Sequence, residues 1–230
     1  MRNPDGLRKL ALAAFITTSA LVVITLAAWG TTLLIVRHMQ ASVLPANNTA
    51  SDAIGGFPLS GQPAPDFKLV DQFGQPVTLA SLRGREVVLA FIDARCTSLC
   101  PLTAEILYDA RTRLGPSAAK QIVLVAINAN PTATSIPEVQ AWSIKHGMLH
   151  QWLFLTGTAA QLQSIYRQYQ VYDQVSSSGG VVHDPVTFII DAKGREQLYF
   201  ETLDSNSQSD LNSQVSGLEA GMHQWLPQAQ

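Results

Sequence analysis

The chain has 230 residues, enough for one ordinary domain with accessory segments and a sizeable core. Hydrophobic residues make up 47% of it, charged residues only 14%, and the formal net charge is −2. That near-neutral balance leaves no basic footprint for a nucleic-acid partner.

The apolar excess begins at the N-terminus. Residues 10–36 contain no Asp, Glu, Lys, Arg or His. As a helix, that span is about 40 Å long, more than a bilayer requires. A cleaved leader needs a shorter apolar core and a small-residue cleavage site, which the following Arg37-His38-Met39-Gln40 does not supply. The stretch is therefore read as a retained, single-pass transmembrane anchor. Arg2, Arg8 and Lys9 precede it and only Arg37 closely follows, so residues 1–9 are expected in the cytoplasm. Everything after the span then lies on the extracytoplasmic side of the cell membrane, where a disulfide is permitted. Residues 37–60 are small, polar and without period, which reads as a flexible tether. From Gly61 to residue 230 the texture is that of a globular domain.

Within that domain, residues 66–70 and 77–79 alternate around a turn at 71–75 and predict a hairpin. Gly84 breaks the chain before a seven-residue apolar strand, Glu86-Val-Val-Leu-Ala-Phe-Ile92. Next comes Cys96-Thr97-Ser98-Leu99-Cys100-Pro101, which holds the only two cysteines. Pro101 suits the first turn of a helix, and Leu102, Ile106, Leu107, Ala110 and Leu114 follow at helical spacing. Thiols at a helix N-terminus feel its positive end and its unpaired N–H groups, which lowers their pKa. Such a pair supplies two soft sulfur ligands or one redox couple. An inert disulfide over so short a loop would constrain the unfolded chain by only about 2 kcal/mol.

Residues 121–127 form an unbroken apolar run, as in a parallel strand covered on both faces. Ser135 and Glu138 have capping-box spacing and open a helix to 145–146 that Gly147 stops. A short strand at 152–155, a helix at 158–169 and a glycine- and serine-rich loop at 176–180 come next. A strand at 187–190, a turn at 192–195, a strand at 197–200 and a helix at 211–225 complete the chain. Strands alternating with helices predict an α/β sheet covered on both faces.

This order, with a dithiol at the end of the first core strand, resembles the thioredoxin fold: a central mixed sheet covered by helices. The opening segment 61–79 is similar to that of peroxiredoxins, membrane-tethered thiol reductases and Sco proteins. Three residues between the cysteines, followed by proline, is the Sco/SenC pattern. His183, standing ahead of Phe188-Ile-Ile-Asp191, matches that family's second motif, and the resemblance extends over residues 61–226. It implies that Cys96, Cys100 and His183 bind one copper ion. It also implies a partner, the apo copper subunit of cytochrome c oxidase, whose dinuclear copper site is loaded through its cysteines. The surroundings depart from the family pattern. Thr97-Ser98 stands where Pro-Asp is usual, Asp93-Ala94-Arg95 precedes the first cysteine, and the loop 128–134 is uncharged. Pro185 occupies the place where thiol–disulfide members of the fold carry a cis-proline, and the sequence allows either isomer.

Chemistry favours copper. Two thiolates and one imidazole suit Cu(I), whereas structural zinc needs four ligands and no fourth is apparent. Asp93 and Asp184 lie nearby in sequence, but carboxylates are poor Cu(I) ligands. The alternative activity is an extracytoplasmic thiol–disulfide oxidoreductase that reduces partner cysteines. Cys96 and Cys100 are then catalytic, as attacker and resolver, and His183 stabilises a thiolate. A peroxidase of the peroxiredoxin class ranks last, because Asp93 occupies the position that its upstream proline needs. His38, His146, His150 and His223, with Met39, Met148 and Met222, are read as surface or packing residues. Trp142, Trp152 and Trp225 are assigned to the core.

Overall fold

The computed structural model describes residues 56–175, 180–204 and 207–227. The segment 1–9 read as cytoplasmic, the stretch 10–36 read as an anchor, residues 37–55 of the expected tether and loop residues 176–179 lie outside these. Among the described residues no helix is long and apolar enough to cross a membrane.

In chain order the elements are β1 (Phe57–Pro58), β2 (Lys68–Val70), β3 (Pro76–Thr78), a 3-10 turn (Leu79–Leu82), β4 (Glu86–Ile92) and α1 (Leu99–Arg113). Then follow α2 (Gly115–Ala119), β5 (Ile122–Asn128), α3 (Ile136–Lys145), β6 (Leu153–Leu155) and α4 (Ala159–Gln168). The last are β7 (Asp173–Val175), β8 (Val181–His183), β9 (Val186–Ile190), β10 (Glu196–Glu201) and α5 (Gln208–Trp225).

Six strands make one mixed sheet in the order β1-β10-β9-β4-β5-β6. The β4–β5 and β5–β6 pairs are parallel, and β9 runs antiparallel to both β4 and β10. Every residue of β4 and β5 is buried, because the sheet is covered on both faces and alternation no longer separates wet from dry. The side chains still alternate between two cores. Val88, Ala90, Ile92, Leu124 and Ala126 pack with Leu107 of α1, Trp142 of α3 and Leu218 of α5. Val87, Leu89, Phe91, Val125 and Ile127 pack with Leu162 and Tyr166 of α4 and with Leu69 of β2.

Local signals account for the helix ends. Ser135 and Glu138 form the expected capping box on α3, and Gly147 has the positive φ of 70° that suits a glycine stop. Thr158 and Gln161 cap α4 in the same reciprocal way. α5 starts earlier than its apolar spacing suggests, because Ser207 accepts the Asp210 N–H and caps a polar first turn. Residues 57–60, assigned to the tether from sequence, join the domain. Phe57 pairs with Tyr199 and stacks on its ring at 4.9 Å, and the Leu59 N–H donates to the Gln197 carbonyl. A two-residue strand is too short to show a period. Among the described residues every peptide bond is trans, the one before Pro185 included.

Gly221 lets α5 close on the sheet. A Cβ there would stand 2.8 Å from Phe200 Cζ and 2.9 Å from Ile189 Cδ1. Gly221→Ala is therefore expected to lower stability by about 1–3 kcal/mol in urea unfolding. An unchanged or raised midpoint would mean that the helix shifts without cost.

Candidate metal centre

The site is built where β4 ends. Past Ile92 the chain turns sharply, and Asp93, only 5% exposed, holds the turn. Its Oδ1 accepts the Arg95 N–H and the Asn130 side-chain amide, both at 2.8 Å. Its carbonyl accepts the Cys96 N–H at 3.0 Å. Asn130 comes from the loop after β5, and that loop is itself pinned. Asn128 Nδ2 donates to the Ala133 carbonyl, the Asn130 N–H to Asn128 Oδ1, and the Thr132 N–H to Asn130 Oδ1. The uncharged segment 128–134 thus acts as a buttress of buried amides beneath the dithiol loop.

α1 then starts without an ordinary cap: Ser98 makes no side-chain capping bond. The Cys96 sulfur fills that place and accepts the Cys100 N–H at 3.4 Å, one of the donors a helix start leaves unpaired. Ser98 Oγ lies 3.6 Å from the same sulfur, and Trp142 Nε1–H donates to the Cys96 carbonyl at 3.1 Å. Trp142 is a core residue, as expected, stacked on Trp152 at 5.5 Å. It also ties α3 to the reactive loop.

The two thiols are free and opposite in character. The Cys100 thiol bonded to Cys96 brings the Cys96 pKa down to about 5, helped by the Cys100 and Ser98 N–H groups and the Ser98 hydroxyl, against an opposing effect of burial. Cys100, 3% exposed, is pushed above the usual thiol range by the same bond, by burial and by the neighbouring negative charge. The pair shares one proton at neutral pH, and Cys100 keeps it. Cys96 should therefore react with iodoacetamide at a rate that rises through about pH 5 and is flat at neutral pH, with Cys100 unlabelled in the folded protein. A Cys96 rate still climbing steeply above neutrality would show that no such thiolate exists.

The third residue arrives from far along the chain. β7 and β8 form a small antiparallel hairpin in which Asp173 pairs with His183. The Tyr172 N–H donates to Asp184 Oδ2, and the Asp184 N–H to the Tyr172 carbonyl, closing its base. His183 Nε2 stands 3.6 Å from Cys100 Sγ, and Nδ1 lies 2.9 Å from the Asp184 carbonyl. A carbonyl only accepts, so Nδ1 carries the proton and Nε2 turns its lone pair to the sulfur.

His183, 83 residues beyond Cys100, is thus brought beside the dithiol. Among the described residues no three His, Cys, Asp or Glu side chains are gathered closely enough to hold a metal ion as they stand. The donors are in place but must draw in around an ion. Two sulfurs and one imidazole nitrogen form the soft set that Cu(I) prefers. Two other histidines pack against aromatic rings: His146, at the end of α3, lies tilted against Trp142 at 4.1 Å, and His150 stacks on Phe73. Met148 and Met222 are core residues. A groove lined by Arg95, Thr97, Glu138, Trp142 and Lys145 opens beside Cys96. Sequence reasoning did not single out the Asp93–Asn130 contact. Its signal is two polar residues, each within two positions of the end of a largely apolar strand.

Residues 59–216 match the family model described as SCO1/SenC. The crystal structure of Arabidopsis thaliana ScoI with copper bound superposes with a TM-score of 0.60 at 22% identity, covering 70% of this chain and 99% of that one. BsSco, described with a disulfide switch and as a member of the Sco family of cytochrome c oxidase assembly proteins, gives a TM-score of 0.54 at 18% identity. That match covers 70% of this chain and 95% of BsSco. At these identities the likeness is one of fold. A Stutzerimonas stutzeri protein named for copper binding is 29% identical over 101 residues, which are 44% of this chain and 48% of that protein. The chain thus spans about half the length of that curated relative.

Proposed function

The chain belongs to the SCO1/SenC family over residues 59–216, and from that premise we propose that it binds copper through Cys96, Cys100 and His183 as cargo for cytochrome c oxidase. The observation that carries this reading is the approach of His183 Nε2, lone pair foremost, to within 3.6 Å of Cys100 Sγ. Copper binding by the Arabidopsis thaliana ScoI supports the choice of metal, and the description of BsSco supports the destination. Cys96 supplies a thiolate at neutral pH, while Cys100 gives up its proton as an ion takes that proton's place. Three soft donors leave a Cu(I) ion open to an incoming thiolate, so cargo can pass by ligand exchange to the cysteines of the apo copper subunit. The uncharged residues 10–36 would anchor the protein in the membrane as a single span, with the domain on the extracytoplasmic side.

The transfer itself is testable. The Cu(I)-loaded domain, mixed without oxygen with the reduced soluble domain of an oxidase copper subunit, should lose its copper to that partner. Copper that stays bound, with the partner's thiols reduced and free, contradicts delivery.

A second reading rests on the asymmetry of the dithiol. A half-buried thiolate beside a buried neutral thiol is the arrangement of an attacking and a resolving cysteine. In that reading Cys96 attacks a partner disulfide, Cys100 displaces the reduced partner, and the protein ends as the Cys96–Cys100 disulfide. Copper-independent reduction of an oxidised partner, lost in Cys100→Ser as a trapped mixed disulfide, would favour it.

A further inference from the structure

The end of the sheet opposite the dithiol is basic, although the chain as a whole carries a net charge of −2. Three turns meet there. Residues 83–85 lead into β4, residues 120–121 into β5, and residues 192–195 join β9 to β10. They are stitched together by the Gly84 N–H donating to the Ala192 carbonyl and the Glu86 N–H to the Gln121 carbonyl, both at 2.9 Å. The Arg83 Nε lies within 3.5 Å of where a Cβ on Gly194 would stand. Arg83, Arg85, Lys120, Lys193 and Arg195 are all exposed on these turns. None is in an ion pair, since the one salt bridge among the described residues joins Arg95 to Glu138 at the other end.

The carboxylates nearby offset only part of this charge. Asp191 accepts the N–H groups of Lys193 and Arg195 and the Gln197 amide, stays negative, and offsets one of the five cations. Asp66 holds the Phe67 and Leu79 N–H groups on the hairpin side. Glu86 lies beneath the turns, fully buried, with neither oxygen hydrogen-bonded, and burial raises its pKa to about 9, so it is uncharged at neutral pH. Burial also raises the pKa of Glu196.

We infer that this pole is a docking surface for a bilayer rich in anionic headgroups. Protein interfaces are centred on buried aromatic or aliphatic anchors. None of the exposed large apolar side chains lies on these three turns. Convex turn tips carrying only point charges fit a diffuse anionic surface instead. The choice of a bilayer draws on the anchor reading of residues 10–36, which would hold the domain at high local concentration beside one. The 19 residues 37–55 can reach about 60 Å when extended. With the basic pole on the headgroups, β4 runs away from the membrane. Cys96, Cys100 and His183 are then held about 20 Å or more above the surface, open to a partner.

The test uses the fragment 48–230. It is one compact unit that contains both cores and every described strand, and solved Sco structures consist almost wholly of the matching domain. Co-sedimentation is measured with phosphatidylcholine vesicles, with and without phosphatidylglycerol, for this fragment and for the Arg83→Gln/Arg85→Gln/Lys193→Gln variant. The fragment should bind only the anionic vesicles, and less so in high salt. The triple variant should partition on the order of a hundred-fold less, with its melting temperature and copper affinity unchanged. Absence of binding to anionic vesicles, or equal binding by the variant, overturns the inference. Binding to polyglutamate but not to vesicles overturns it in favour of an acidic protein partner. Because copper affinity is read separately, failure here is distinct from failure of the copper reading.

Discussion

His183→Ala lowers the affinity of the reduced domain for Cu(I) on the order of a hundred-fold or more, because losing a ligand costs at least as much as losing the group that orients one. The fold should survive. His183 sits on a three-residue strand of a small hairpin outside the main sheet. It belongs to neither hydrophobic core. Anaerobic titration against a competing chelator gives the affinity, and circular dichroism checks the fold. Equal affinity in variant and parent would remove His183 from the ligand set and leave the dithiol as a redox pair. Cys96→Ser makes no such distinction, since it disables both chemistries.

Glu86→Gln should stabilise the domain at neutral pH by about 3 kcal/mol, and by little at pH 4.5. The sign follows from proton binding. The folded carboxyl has a pKa of about 9, because burial without a partner disfavours its charged form, against 4.5 in the ordinary case. Between those values the folded state keeps a proton that the unfolded state has released. Stability therefore falls as pH rises from 4.5 towards 9 and is flat below. Glutamine has nearly the same shape and never ionises, so it removes this slope and leaves the burial cost. Urea unfolding at pH 4.5 and at neutral pH measures both. A variant equally or less stable at neutral pH would mean that Glu86 has found water or a charge partner.

Where both faces of a strand are buried, the sequence reads directly. β4 and β5 stand out as unbroken apolar runs, and parallel pairing follows from the helix between them. The caps of α3 and α4 are equally plain, because side chain and backbone partner lie three residues apart. The dithiol was visible for the same reason: its spacing is local. The hairpin that carries His183 was not, since β7 and β8 have three residues each, too few to show a period. The resemblance to Sco proteins picked out the histidine, but the tautomer came from its contact with the Asp184 carbonyl. Asp93 and Asn130, 37 residues apart, needed the parallel register of β4 and β5 to bring them together. Trp142 was read as core and is core, but its hydrogen bond to the Cys96 carbonyl needed the placement of α3. The basic pole is a property of three turns that only the sheet unites.

X-ray absorption at the copper edge of the Cu(I)-loaded reduced domain is the most direct measurement of the central claim. Two sulfur scatterers and one nitrogen in the parent, with the nitrogen missing from His183→Ala, is the predicted result. Two sulfurs alone in the parent, or a shell without sulfur, would contradict it.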